Sequence, residues 1–65
     1  DAQGWLRLGR AYSVLGRRDD ALQALDRADA AAQQKLAAAT DEQRADLAAI
    51  LEQARQIRQQ LAQDR

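Results

Sequence analysis

The feature that most limits how this chain can fold is its lack of helix-breaking residues. Proline is absent from all 65 residues, and glycine occurs three times, at positions 4, 9 and 16. Alanine, leucine, arginine and glutamine dominate, and these are strong helix formers, whereas the β-branched and aromatic residues that favour strands are scarce. The sequence therefore predicts an all-α fold.

The first part of the chain predicts a helical hairpin. Bulky residues at positions 5, 8, 12 and 15 follow spacings of three and four, which is typical of one apolar helix face and predicts a helix over about 2–15. Gly16 follows at once, as expected for a left-handed helix end. An extended second helix over about 18–38 completes the hairpin, with Asp19 and Asp20 in its first turn.

A second break near Ala39 and Thr40 predicts a third helix over about 40–64. Thr40 and Gln43 match a capping box, in which each residue bonds the backbone N–H of the other. We interpret residues 1–38 as the hairpin domain and residues 40–64 as a C-terminal helix that packs on the hairpin or caps it.

Composition predicts a thin core. Apolar residues make up 46% of the chain, but sixteen of them are alanine, so the helices are expected to pack close together. Burial is marginal in a domain of this size, and no cysteine is present to form a disulfide. The chain begins at Asp1 without a methionine or a signal-like segment, and we interpret it as an excised fragment or a processed product.

Charge and composition argue against several function classes. Ten basic and ten acidic residues are mixed along the chain, without the basic face that is typical of nucleic-acid binding. No apolar run approaches the ~20 residues that span a bilayer, so we expect no membrane contact by this segment. The chain is predicted not to be an enzyme, because histidine is absent and no base stands beside a nucleophile. We expect no metal and no cofactor.

Carboxylates come close together in sequence at two places, Asp19 with Asp20 and Asp26 with Asp29. Either pair could be considered for acid–base chemistry, but both are interpreted as solvated acids on helix surfaces.

Seven residues have the spacing of a known motif. The segments WLRLGRAY and ALQALDRA resemble the tetratricopeptide repeat, with signature W-x2-L-G-x2-Y, A-x3-F and A; the matching residues are Trp5, Leu8, Gly9, Tyr12, Ala21, Leu25 and Ala28. Gly9 and Ala21 are expected to face each other where the helices cross, and Trp5, Leu8 and Tyr12 to fill the space beside them. Such repeats usually need about three copies for stability, and one is present.

This resemblance implies a protein-interaction function. In the family, the side of the first helix that faces away from the Trp5–Tyr12 packing face lines a groove for peptides, which here predicts a binding set of Gln3, Leu6, Arg7, Arg10, Ser13 and Val14. Arg10 stands where some members grip a peptide carboxylate, a role that suits a guanidinium. Alternatively, Arg10 solvates the surface or pairs with an acid. Leu6 and Val14 are expected to be exposed and to favour a partner.

The run GWLRLGRAYSVLGRRDDAL further resembles the periplasmic tetratricopeptide region of bacterial c-type cytochrome biogenesis proteins. That resemblance implies a chaperone role with apocytochrome c as partner and a periplasmic location; without it, a cytoplasmic location is expected. It does not imply haem binding, because His, Cys and Met are all absent as axial ligands.

The alternative function is a homo-oligomerising helical scaffold without a peptide ligand. The third helix carries an apolar seam at spacings near three and four, formed by Leu47, Ile50, Leu51, Ala54, Ile57 and Leu61. If the hairpin leaves this seam exposed, a homodimer is expected to bury it. If the third helix folds back, the seam is hidden in a monomer.

Overall fold

The computed structural model describes residues 1–63, and these form three α-helices and no strand. Helix α1 spans Ala2–Val14, α2 spans Arg18–Leu36 and α3 spans Asp41–Gln63. The all-α prediction is confirmed, with α1 and α2 packed as a hairpin and α3 packed against both. Helix α2 ends two residues earlier than expected, and the expected end of α3 at residue 64 lies outside the described residues. Within the described range, no helix is long and apolar enough to cross a membrane.

Both ends of α1 are fixed by local hydrogen bonds. The Asp1 carboxylate accepts a bond from the backbone N–H of Gly4 at 2.9 Å, as an N-cap does. At the other end, Gly16 has φ = 77°, and the N–H groups of Arg17 and Gly16 reach back to the carbonyls of Tyr12 and Ser13 at 2.9 and 3.1 Å. This is a Schellman motif, which confirms the predicted glycine stop.

The start of α3 confirms the predicted capping box. The Thr40 hydroxyl accepts a bond from the Gln43 N–H at 3.2 Å, and the Gln43 side-chain oxygen accepts one from the Thr40 N–H at 3.1 Å. Asp41 and Glu42 occupy the first turn, where negative charge interacts favourably with the helix dipole.

The hairpin depends on a close helix crossing at Gly9. This residue is buried, and a Cβ built on it would lie 2.9 Å from Leu25 Cδ2 and 3.5 Å from the Ala21 carbonyl oxygen. Only a residue without a side chain allows this approach, so the crossing predicted from the Gly9 and Ala21 spacing is confirmed.

The core is thin, as the composition predicted. Six of the eleven buried apolar residues in the described part of the chain are alanine. The larger of two core clusters contains residues from all three helices: Leu6, Ala21, Leu25, Ala28, Ala54, Ile57 and Leu61. The smaller cluster joins Ala2, Ala32 and Leu47 near the start of α1 and the turn between α2 and α3.

The apolar seam of α3 packs against the hairpin of the same chain. Leu47, Ala54, Ile57 and Leu61 are buried, while Ile50 and Leu51 are partly buried beside them. Of the two alternatives that the sequence left open, the structure shows the one in which α3 folds back and covers the seam within one chain. Because α3 folds back along the hairpin, its own chain supplies the partner for these side chains.

Two arginines hold α3 in place through polar contacts. Arg58 forms ion pairs with Asp26 and Asp29 of α2, so these acids are not merely solvated, as the sequence had suggested. The Arg18 guanidinium of α2 donates to the carbonyl of Leu61 on α3.

We expect Gly9→Leu to destabilise the fold by about 1–3 kcal/mol or more, because Leu25 is fully buried and cannot move out of the way. The matched control is Ala11→Leu, which adds a leucine to an exposed position of the same helix and should change stability by less than about 0.5 kcal/mol. Urea unfolding followed by circular dichroism measures both. Equal stability of the two variants would contradict the close crossing.

Candidate functional site

Four of the six residues predicted to bind peptide lie along one exposed stripe of α1. Gln3, Arg7, Arg10 and Val14 follow spacings of four, three and four, and all are exposed. Val14 is 82% exposed, which agrees with the expectation that it lies free on this side of the helix.

The two other predicted residues are less accessible. Leu6 is 2% exposed and belongs to the main core cluster together with Ala54 and Ile57 of α3. Its expected exposure is therefore corrected: α3 packs over this part of α1 and covers the leucine. Ser13 is partly buried.

Helix α3 and Arg10 together form a groove. The depression has a volume of about 400 Å3, within the range of small-ligand sites. Arg10 is its lining residue from α1, and it donates a hydrogen bond to the Gln53 side-chain oxygen at 3.3 Å. Helix α3 supplies the rest of the lining: Gln53, Gln56, Ile57, Gln59, Gln60 and Gln63.

The charge of Arg10 is not neutralised by an acid within the described residues. None of their carboxylates lies within 4.0 Å of its guanidinium, and its bonded neighbour Gln53 is neutral. An arginine stays protonated at any ordinary pH. This end of the groove is therefore suited to a carboxylate, which a guanidinium can bind through two parallel hydrogen bonds.

Glu52, the residue before Gln53 on α3, is bound by side chains of its own helix and not by Arg10. Glu52 pairs with Arg55 and also accepts a bond from the Gln56 amide at 3.2 Å. The hydrogen bond from Arg55 holds the pKa of Glu52 below its ordinary value, and the same contact raises the pKa of Arg55. Glu52 consequently stays ionised and engaged with its own helix.

The glutamines of the groove were missed by the sequence analysis, although a signal was present. Residues 53, 56, 60 and 63 are all glutamine and follow spacings of three, four and three, which places them on one stripe of a helix. Each amide offers two donors and an acceptor. Such a stripe can bond the N–H and C=O groups of an extended peptide whatever its side chains are.

Comparison with known proteins gives no match: no protein-family model, no curated protein and no solved structure is significantly similar to this chain. The resemblance to the tetratricopeptide repeat accordingly stays a prediction from seven residues. Residues 1–63 also contain no cluster of acidic, histidine or cysteine side chains able to hold a metal ion.

Leu6 and Val14 should respond very differently to truncation, although both were placed in the peptide-binding set. Leu6→Ala should lower the free energy of unfolding by about 2–5 kcal/mol, because it leaves a cavity between α1 and α3. Val14→Ala should change it by less than about 0.5 kcal/mol, since Val14 contributes little to the core. Chemical unfolding of both variants tests this, and a small effect at Leu6 would contradict its place in the core.

Proposed function

We propose that this chain is a protein-interaction module that binds an extended peptide segment in the groove between Arg10 and α3. The observation that carries the proposal is one depression that combines five glutamines with an exposed guanidinium, which pairs with no acid among the described residues. A surface that contacts only water would not need several amide side chains grouped beside an arginine.

The groove offers two kinds of contact to such a segment. Arg10 can pair with a carboxylate, either the C-terminal group of the peptide or an acidic side chain, in a charge-assisted bond. The glutamines can bond the peptide backbone on both its donor and acceptor sides. The charge of Arg10 would then select which residue of the peptide is anchored. The amide stripe would hold the peptide extended with little dependence on the peptide sequence.

The resemblance to tetratricopeptide repeats supports this reading, because that family receives peptides on the same side of the first helix. The more specific resemblance to cytochrome c biogenesis proteins suggests a ligand to test, a segment of apocytochrome c. Under this hypothesis the chain acts as a chaperone fragment that holds the unfolded segment.

The alternative of a scaffold that oligomerises through α3 is not favoured. Its interface residues are the seam of α3, and Ala54, Ile57 and Leu61 of that seam already pack against the hairpin. Opening them for a second copy would expose the core of the first.

The proposal is tested by titrating the 15N-labelled chain with a peptide from the C-terminus of an apocytochrome c, and with the same peptide amidated at its C-terminus. Arg10→Ala should weaken binding of the free-acid peptide by about 1.5–3 kcal/mol, roughly ten- to hundred-fold in Kd. The affinity of Arg10→Lys for this peptide should lie between those of wild type and Arg10→Ala, because lysine keeps the charge but cannot form two parallel hydrogen bonds.

Arg44→Ala is the matched control, since it removes an equal charge from an exposed position of α3 that does not line the groove. Its effect should be much smaller than that of Arg10→Ala. Amidation should abolish the difference between wild type and Arg10→Ala if the terminal carboxylate is the anchor. Chemical-shift changes confined to residues outside the groove would refute the proposed site.

A further inference from the structure

The hairpin has a second exposed surface, which faces away from the groove and has no role in the proposed peptide binding. Trp5, Leu8 and Tyr12 follow one another along α1 at spacings of three and four. The sequence placed all three inside the hairpin, but Leu8 is 38% exposed, and Trp5 and Tyr12 are half-buried. They line a shallow depression of about 330 Å3, together with residues of α2 and none of α3.

We call the surface formed by Trp5, Leu8 and Tyr12 the aromatic face. Charged groups lie at both of its ends. At one end, the Arg27 guanidinium lies 5.0 Å from the centre of the Trp5 ring, a cation–π distance. At the other end, Arg17 lies 4.9 Å from the centre of the Tyr12 ring and pairs with Asp20 at 2.7 Å. Because α1 and α2 run antiparallel, Arg27 is beside the start of α1 and Asp20 is beside its end.

The aromatic face is therefore complementary to itself. Trp5 and Tyr12 are seven residues apart on α1, with Leu8 between them; Asp20 and Arg27 are seven residues apart on α2. Consider a second copy related to the first by a two-fold axis that lies in the contact plane and is perpendicular to α1. This rotation would reverse the order of the α1 residues and of the α2 residues. Trp5 of one copy would then meet Tyr12 of the other, Arg27 would meet Asp20, and the two Leu8 side chains would meet at the axis.

We propose that two copies of this chain associate through the aromatic face in this antiparallel arrangement. Burial of Leu8 and of the exposed ring surfaces favours the contact. The Arg27–Asp20 contacts, formed twice by symmetry alongside the Arg17–Asp20 pair of each copy, favour the antiparallel orientation, because a parallel arrangement would not bring Arg27 and Asp20 together across the interface. This interface leaves both peptide grooves open and does not depend on the proposed function.

The size of the face indicates a weak dimer. Helix α1 has 13 residues, which gives a length of about 20 Å, and two adjacent helices give a width of about 20 Å. The contact is thus on the order of 400 Å2 per copy, about half of the roughly 800 Å2 per partner found in stable complexes. Association is therefore expected to be weak and to become visible only at high concentration.

Symmetric crosslinking tests the position of the axis, since the natural chain contains no cysteine. Leu8→Cys should form a disulfide-linked dimer rapidly when oxidised glutathione is added, because the axis brings residue 8 of both copies within disulfide range. Ala48→Cys, exposed on α3, is the control and should crosslink much more slowly. Equal crosslinking rates of the two variants would overturn the proposal.

Sedimentation equilibrium between about 10 μM and 1 mM tests the association without altering Leu8. The wild type should rise in average mass from 7.2 kDa towards twice that value. Arg27→Glu, which faces Asp20 of the other copy, should weaken association at least ten-fold, whereas Arg44→Glu, an equal charge change at an exposed position of α3, should not. A wild type that stays monomeric at 1 mM would overturn the proposal and leave the aromatic face to a partner of another sequence.

Discussion

The contact on which the rest of the structure depends is the crossing of α1 and α2 at Gly9. Because Gly9 has no side chain, Leu25 packs directly against the backbone of α1. This position brings Leu25 together with Leu6 in one cluster, and α3 covers that cluster with Ala54 and Ile57. A core made largely of alanine can exclude water only if its helices lie close together. The glycine therefore sets the spacing of all three helices, although it contributes no buried side chain of its own.

The placement of α3 changes what the hairpin can offer to a partner. A lone hairpin of this kind leaves an apolar flank without a neighbour, and α3 covers this flank with the same residues that looked like a dimer seam. Leu6, which a groove along α1 alone would have exposed, is buried in the process. The same packing places the glutamine stripe of α3 beside Arg10. The candidate groove is thus a product of tertiary packing between residues 43 positions apart in sequence.

Local signals explain why the helices and their ends could be predicted. Gly16 and the Thr40–Gln43 pair act within one turn of the chain, and their hydrogen bonds involve residues three to five positions away. The crossing at Gly9 could also be predicted, because the motif spacing places small residues on both helices. Periodicity could not decide whether the α3 seam meets its own hairpin or a second copy, since both satisfy the same apolar pattern. For the same reason it could not tell that Leu6 is covered while Leu8 is exposed.

Arg10 differs from those arginines of the described residues that a ring or an acid already engages. Arg17 and Arg27 lie over aromatic rings, and Arg58 pairs with two carboxylates. Arg10 instead donates to a neutral amide, and its side chain is exposed to solvent. A carboxylate that binds Arg10 forms a charge-assisted pair without breaking an ion pair among the described residues. The energetic cost of binding an anion is therefore lower at Arg10 than at Arg17 or Arg58, where a resident acid would first have to be displaced.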